Sequence, residues 1–226
     1  MKIQSIHLKH ILHFADLKVD FSYHDKPVTL ILGDQASGKT SILRFSYQAL
    51  TWFAARYKDL RSAGVVMLDH DIMLNRLQSK IDIQVAVPAE LYALKPTAAD
   101  AAPEPYTWQL YKTLNQQGIG ISRVETLELE QLVNLYQQAT LQDPLQGLPL
   151  IAYYPAERFV NEMNILSKNN PLIFQHAHAY EISAIPYTTF ARFFEWFREI
   201  SDIENAQTAQ FLQTILHQPC LLYTSD

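Results

Sequence analysis

Gly33-Asp34-Gln35-Ala36-Ser37-Gly38-Lys39-Thr40 is the stretch on which the fold turns. It fits G-x-x-x-x-G-K-[ST], the pattern of a phosphate-binding loop. The spacing has a chemical reason. Glycines let the backbone wrap until successive N–H groups point inward at phosphate oxygens. Lys39 then brings a point charge to the β- and γ-phosphates, and the Thr40 hydroxyl ligates Mg2+. A helix opening at the same place turns the positive end of its dipole toward the anion.

The flanks agree with this reading. Val28-Thr29-Leu30-Ile31-Leu32 is a short apolar run that stops at Gly33, which predicts a strand buried on both faces. From Lys39 onward Ile42, Leu43, Tyr47, Leu50 and Phe53 or Ala54 recur every three or four residues. That period predicts a helix ending near Ser62-Ala63-Gly64, with Gly64 as its C-terminal cap. A strand, the loop and then a helix is the context that separates a real phosphate loop from a chance match. Gly33, Asp34, Gln35, Ala36, Ser37, Gly38, Lys39, Thr40 and Ser41 are therefore the expected nucleotide-binding residues. Thr40 is the expected metal ligand, and ATP with Mg2+ the expected cofactors.

Farther out, Ile6 and Leu8, then Leu17, Val19 and Phe21, alternate with polar residues as strands with one wet face do. Val65-Val66-Met67-Leu68 is a further apolar run. Ile81, Ile83, Val85 and Val87 alternate, and so do Tyr106, Trp108 and Leu110. Between these two sets, Pro88 to Pro105 is rich in Ala and Pro and predicts a surface loop. Glu125 to Ala139 reads as a helix with Leu129, Leu132, Val133 and Tyr136 on one face. Leu150-Ile151-Ala152-Tyr153-Tyr154 reads as a short strand closed by Pro155. Asn161 to Pro186 is polar and irregular, the best boundary in the chain, and Thr188 to Ile200 reads as an aromatic-rich helix.

Composition bounds the class. The chain has 226 residues, 48% of them hydrophobic and 18% charged, which excludes global disorder. Cys220 is the single cysteine, so there is no disulfide framework and no cysteine-based zinc site. No apolar run reaches the length of a membrane span, and Met1-Lys2-Ile3-Gln4-Ser5 opens no signal-peptide region, so a cytoplasmic protein without membrane contact is expected. A formal charge of -5 supplies no general basic field for nucleic acid.

A family resemblance rests on particular words. Ile6-His7-Leu8-Lys9-His10-Ile11-Leu12-His13-Phe14, with Leu17-Lys18-Val19-Asp20-Phe21, stands close before the loop. It resembles the opening of the RecF/SMC-like branch of ABC-type ATPases. Ile151-Ala152-Tyr153-Tyr154-Pro155-Ala156-Glu157-Arg158 and Phe193-Phe194-Glu195-Trp196-Phe197-Arg198-Glu199 resemble the AAA family ATPases that include the Septu-type anti-phage defence ATPase. The resemblance implies an α/β P-loop NTPase core, like an ABC-ATPase head, with an antiparallel side sheet and a helical subdomain. It implies Mg-ATP binding and hydrolysis in DNA repair or anti-phage defence. Two heads sandwich ATP as a homodimer in that family, with a nuclease partner or DNA reading the result.

The sequence also departs from the family. Members often carry Arg near Leu12, and that nucleotide contact is lost here; Ala36 stands where many have a third loop glycine. No L-S-G-G-[EQ] signature and no late apolar run ending in Asp-Glu is readable. The expectation is an N-terminal fragment whose partner is the missing C-terminal half of the ATPase. Residues 1–160 would form the nucleotide-binding lobe, 161–217 an incomplete helical lobe, and 218–226 a non-native tail.

Other residues weigh less. Asp69 after Val65–Leu68 imitates a metal-holding Walker B aspartate, but Asp69-His70-Asp71 reads more simply as a solvated turn. Glu157 with Arg158 reads as an ion pair, and no catalytic role falls to it. Phe190, Phe193, Phe194, Trp196 and Phe197 read as the core of a helical lobe, with a docking patch as the rival. His176-Ala177-His178 reads as a loop. Two further functions stay open at this point: a self-contained P-loop kinase or phosphotransferase using Asp69, and a nucleotide-gated interaction module without turnover.

Overall fold

A computed structural model describes residues 1–23, 28–92, 104–143 and 145–154. Strands β1 (Lys2–Ile11) and β2 (Phe14–Asp20) form the first hairpin, and α1 (Lys39–Lys58) follows. Then come β3 (Gln78–Ala86), the short α2 (Ala89–Tyr92), β4 (Tyr106–Leu114), β5 (Gly120–Glu125) and α3 (Leu127–Gln142). The strands make one antiparallel sheet in the order β2-β1-β3-β4-β5. The architecture is mixed α/β with the antiparallel sheet that the sequence leads one to expect.

Register explains the core. Ile6 faces Ile83, Leu8 faces Ile81, and these in turn face Trp108 and Leu110 on β4. Alternation puts all six on one side of the sheet, where each is buried. Phe45, Ala49, Trp52 and Phe53 of α1 and Leu129, Leu132, Val133 and Tyr136 of α3 complete the same core. The Trp108 indole N–H donates to the Ala49 carbonyl at 3.0 Å, so even the polar atom of the largest buried ring is satisfied. The other side of the sheet is polar. There His7 lies 2.6 Å from Asp16 on β2 and 3.5 Å from Asp82 on β3.

The apolar runs behave differently from expectation. Val28 to Leu32 is not a buried strand: Val28, Leu30 and Leu32 are 74%, 77% and 81% exposed. A strand holds its shape through hydrogen bonds to neighbours, and no strand among the described residues pairs with this segment. Val65–Leu68 and Leu150–Tyr154 likewise lie outside any strand, with Met67 and Ile151 buried and their neighbours largely open. Helix α1 stops at Lys58, before Gly64, and Asp59 caps it by donating to the Ala55 carbonyl. Gly64 instead lies so near α1 that a Cβ there would stand 2.6 Å from the Trp52 nitrogen.

Residues 120–125 form an edge strand, and the helix expected from Glu125 begins at Leu127 and runs to Gln142. The boundary at 161–186, the aromatic helix from Thr188, His176-Ala177-His178, Glu157 with Arg158, Cys220 and the tail all lie outside the described residues.

Candidate functional site

The loop leaves the unpaired segment at Gly33 and enters α1 at Lys39. Gly33, Asp34, Gln35, Ala36, Ser37 and Thr40 are exposed, and Gly38, Lys39 and Ser41 are half-buried. The Ser37 N–H donates to the Asp34 carbonyl at 3.2 Å and tightens the bend. Two residues take left-handed backbone, Ala36 at φ 62° and Gly38 at φ 90°, and Gly38 caps α1. Glycine suits the second position; alanine at the first carries a Cβ penalty. A Cβ at Gly33 would lie 2.8 Å from the Ser37 hydroxyl oxygen, so that side chain would have to turn aside.

Lys39 closes the loop on itself. Its ammonium donates to the carbonyls of Gly33 at 2.8 Å and Asp34 at 2.6 Å, and reaches the Ser37 hydroxyl at 3.4 Å. The positive charge thus sits within the loop beside the opening of α1. These bonds are exposed to water, and only their donor is charged. An anionic ligand, charged on the acceptor side as well, competes with them for the ammonium. Donor set, helix opening and loop curvature fit a polyphosphate, and the Thr40 hydroxyl in the first turn fits a Mg2+ ligand.

The β1–β2 hairpin also reaches the loop. His13 Nε2 lies 3.4 Å from the Ser37 carbonyl oxygen. The His13 and Phe14 rings stand together, centroids 4.0 Å apart, and both crowd the side of Gly38 where a Cβ would be.

The disputed acidic turn divides into two roles. Asp69 is exposed and pairs with Lys112 of β4 at 2.8 Å, with Gly120 leaving room for its carboxylate. Asp71, expected in solvent, is wholly buried. Its Oδ1 accepts from Arg44 Nη2 of α1 at 2.5 Å, and its Oδ2 accepts from the Leu68 N–H at 2.8 Å. Its carbonyl accepts from the Leu12 N–H at 2.8 Å, at the tip of the hairpin. Tyr153 stacks on Tyr47 of α1, centroids 4.7 Å apart, which fastens the segment before Pro155 to the same helix.

Sequence reasoning missed His13, Arg44 and Asp71. Arg44 stands four residues after Thr40 on α1, one turn along, and is the one signal of the three that spacing offered. Among the described residues no helix is long and apolar enough to cross a membrane.

Comparison with known proteins places this geometry in a family context. The AAA domain family matches residues 5–214. The chain is 25% identical over 220 residues to a retron Ec83 probable ATPase of Escherichia coli, covering 92% of this chain and 36% of that protein. It is 23% identical over 214 residues to a retron Vc95 probable ATPase of Vibrio cholerae, covering 91% of this chain and 38% of that protein. The chain thus spans little more than a third of the length of these curated relatives. A solved structure described by ATP-driven dimerization and DNA-stimulated activation of SMC ATPases is similar at 13% identity and a TM-score of 0.37, over 60% of this chain and 79% of that one. An SMC head bound to the C-terminal winged-helix domain of ScpA is similar at 14% and 0.38, over 62% and 41%.

Proposed function

Because the chain belongs to the AAA domain family, we propose that it binds Mg-ATP through residues 33–41 as the N-terminal part of an ABC-type ATPase. One observation carries this most: the Lys39 ammonium held over the Gly33 and Asp34 carbonyls where α1 opens. In this reading the ammonium leaves those carbonyls for the β- and γ-phosphates, and the loop N–H groups take the remaining oxygens. Thr40 would hold Mg2+, which would supply charge neutralisation at the phosphates.

Hydrolysis belongs to the whole protein, whose C-terminal half supplies the signature and the late Walker B aspartate. The exposed Val28, Leu30 and Leu32, with no strand partner among the described residues, suit pairing with strands of that half. Two heads then close on ATP as a homodimer in the cytoplasm. The retron names of the relatives favour anti-phage defence over DNA repair as the setting, with a nuclease or DNA as the responding partner. The Asp69–Lys112 pair favours this split site over a self-contained kinase, because the kinase would need Asp69 free for metal.

Calorimetric titration of ATP, with and without Mg2+, tests the loop. Lys39→Ala removes charge-assisted bonds worth about 1.5–3 kcal/mol each, or about 10–150-fold in affinity per bond. Thr40→Val loses the Mg2+-dependent part and keeps most metal-free binding. Equal binding by wild type and Lys39→Ala would refute the assignment.

A further inference from the structure

The β1–β2 hairpin closes over two residues, since Ile11 pairs with Phe14 and leaves Leu12 and His13 at the tip. Hairpins this tight favour glycine or asparagine wherever φ is positive. Here Leu12 has φ 50°, and His10, two residues earlier, has φ 53°. Histidine is among the residue types enriched in left-handed backbone, whereas leucine is not, so the uncommon conformation is that of Leu12. Backbone bonds hold the tip in place: the Leu12 N–H donates to the Asp71 carbonyl, and the Met73 N–H donates to the His10 carbonyl at 2.9 Å. Asp71 is itself tied to Arg44 of α1. The tip is therefore fastened to the same helix that the phosphate loop opens.

What this fastened tip presents is His13. A carbonyl oxygen only accepts, so the His13 Nε2 facing Ser37 carries the hydrogen and donates it. The imidazole edge also stands 2.6 Å from the point where a Gly38 Cβ would be, so the ring lies directly against the Ser37–Gly38 peptide. In a planar trans peptide the C=O and the following N–H point to opposite sides. A donor holding the Ser37 carbonyl from the hairpin side leaves the Gly38 N–H aimed the other way.

We propose that His13 is a positioning residue of the phosphate site, fixing the Ser37–Gly38 peptide so that the Gly38 N–H is presented to a polyphosphate oxygen. The inference rests on the nucleotide-binding reading above and deepens it. His13 acts on the phosphate cradle, not on a base, so inorganic tripolyphosphate and ATP feel its loss by the same factor. Its side chain is exposed, so its replacement leaves the core alone.

The test is titration of the 226-residue chain with ATP and, separately, with inorganic tripolyphosphate. The variants are His13→Ala, His13→Phe and His13→Asn, with thermal unfolding measured alongside. One neutral hydrogen bond corresponds to about 2–10-fold in affinity. His13→Ala and His13→Phe lose that factor for both ligands with an unchanged unfolding midpoint, and His13→Asn, which keeps an N–H donor, recovers most of it. If His13→Phe binds like wild type, ring packing and not the hydrogen bond orders the loop, and the proposal fails. A loss for ATP alone would also overturn it, by placing His13 on the nucleoside. Wild-type binding that depends on Lys39 but not on His13 sinks this inference alone. Failure of wild type to bind either ligand sinks the nucleotide reading itself.

Discussion

The guanidinium of Arg44 meets the buried carboxylate of Asp71 at 2.5 Å, and through it α1 is joined to the tip of the first hairpin. The two partners differ in access to water. Arg44 keeps 31% of its side chain exposed, whereas Asp71 has none.

That asymmetry sets the order of mutational costs. Arg44→Met strands a buried carboxylate, and stranding one partner of a buried pair costs about 3–5 kcal/mol. Asp71→Asn leaves a guanidinium that can turn to solvent and a side chain that still accepts from the Leu68 N–H, so it costs about 1–3 kcal/mol. The double variant loses less than the sum, because the second change removes a group already unpaired. Denaturant unfolding of the three variants checks the order. A larger loss for Asp71→Asn than for Arg44→Met would contradict it.

Two loop residues with left-handed backbone should respond in opposite directions. Gly38→Ala puts a Cβ against the His13 and Phe14 rings at φ 90°, so both rings must shift away from the loop. Nucleotide binding is expected to fall at least as far as in His13→Ala. Ala36→Gly relieves about 1–2 kcal/mol of left-handed strain and gives back about 0.4–1 kcal/mol through the freer unfolded chain. The net is a stabilisation of about 0–1.5 kcal/mol, read from the unfolding midpoint. Clear destabilisation by Ala36→Gly would show that the alanine methyl makes contacts of its own.

The antiparallel sheet was legible because alternation survives wherever one face is buried: Ile6/Leu8, Ile81/Ile83/Val85 and Tyr106/Trp108/Leu110 all read correctly. The same signal misled at Val28–Leu32, where apolar character reports burial in some setting but not which strands supply it. Strand β5 was missed because it is an edge strand with most of its residues open, so it carries little periodicity. The bend at residues 33–38 and the opening of α1 at Lys39 fall where the spacing put them, without the strand expected before them. His13 and Asp71 were not legible, since their roles come from a two-residue hairpin and a turn meeting across 24 residues to Ser37 and 27 to Arg44. No local pattern encodes such meetings.

Tyr136 and Asp16 contribute to the pH dependence of stability from opposite ends. Burial of Tyr136 pushes its hydroxyl up to about 12, above the ordinary tyrosine value of about 10. The unfolded chain therefore ionises first. The contribution of Tyr136 is complete below pH 10 and falls as pH rises from there toward about 12. Asp16 moves the other way, held down chiefly by its hydrogen bond to His7. Its contribution is present above the ordinary carboxylate range and is lost as pH falls through the lowered value. Unfolding midpoints against pH check both: Tyr136→Phe should flatten the alkaline fall and Asp16→Asn the acid one. An alkaline limb unchanged in Tyr136→Phe would assign it to another group.

The last expectation concerns turnover. Hydrolysis needs an attacking water held in line and charge neutralised on the γ-phosphate, and the loop with Lys39 and Thr40 provides only part of that. Asp69, the one acidic residue after an apolar run that imitates a metal ligand, is engaged by Lys112. Its role is to join the turn before β3 to β4. The remaining stabilising groups are then expected from the rest of the protein and from an opposing head, and each such group is worth about 10²–10³ in rate. The 226-residue chain should therefore bind Mg-ATP and release phosphate slowly, while the full-length protein turns over faster by orders of magnitude. Lys39→Ala should abolish that gain, and Asp69→Asn should leave it within a few-fold. Phosphate release at saturating Mg-ATP measures all four. Brisk hydrolysis by the 226-residue chain alone, lost in both Lys39→Ala and Asp69→Asn, would instead make Asp69 the metal ligand of a self-contained enzyme, with its bond to Lys112 broken when nucleotide binds.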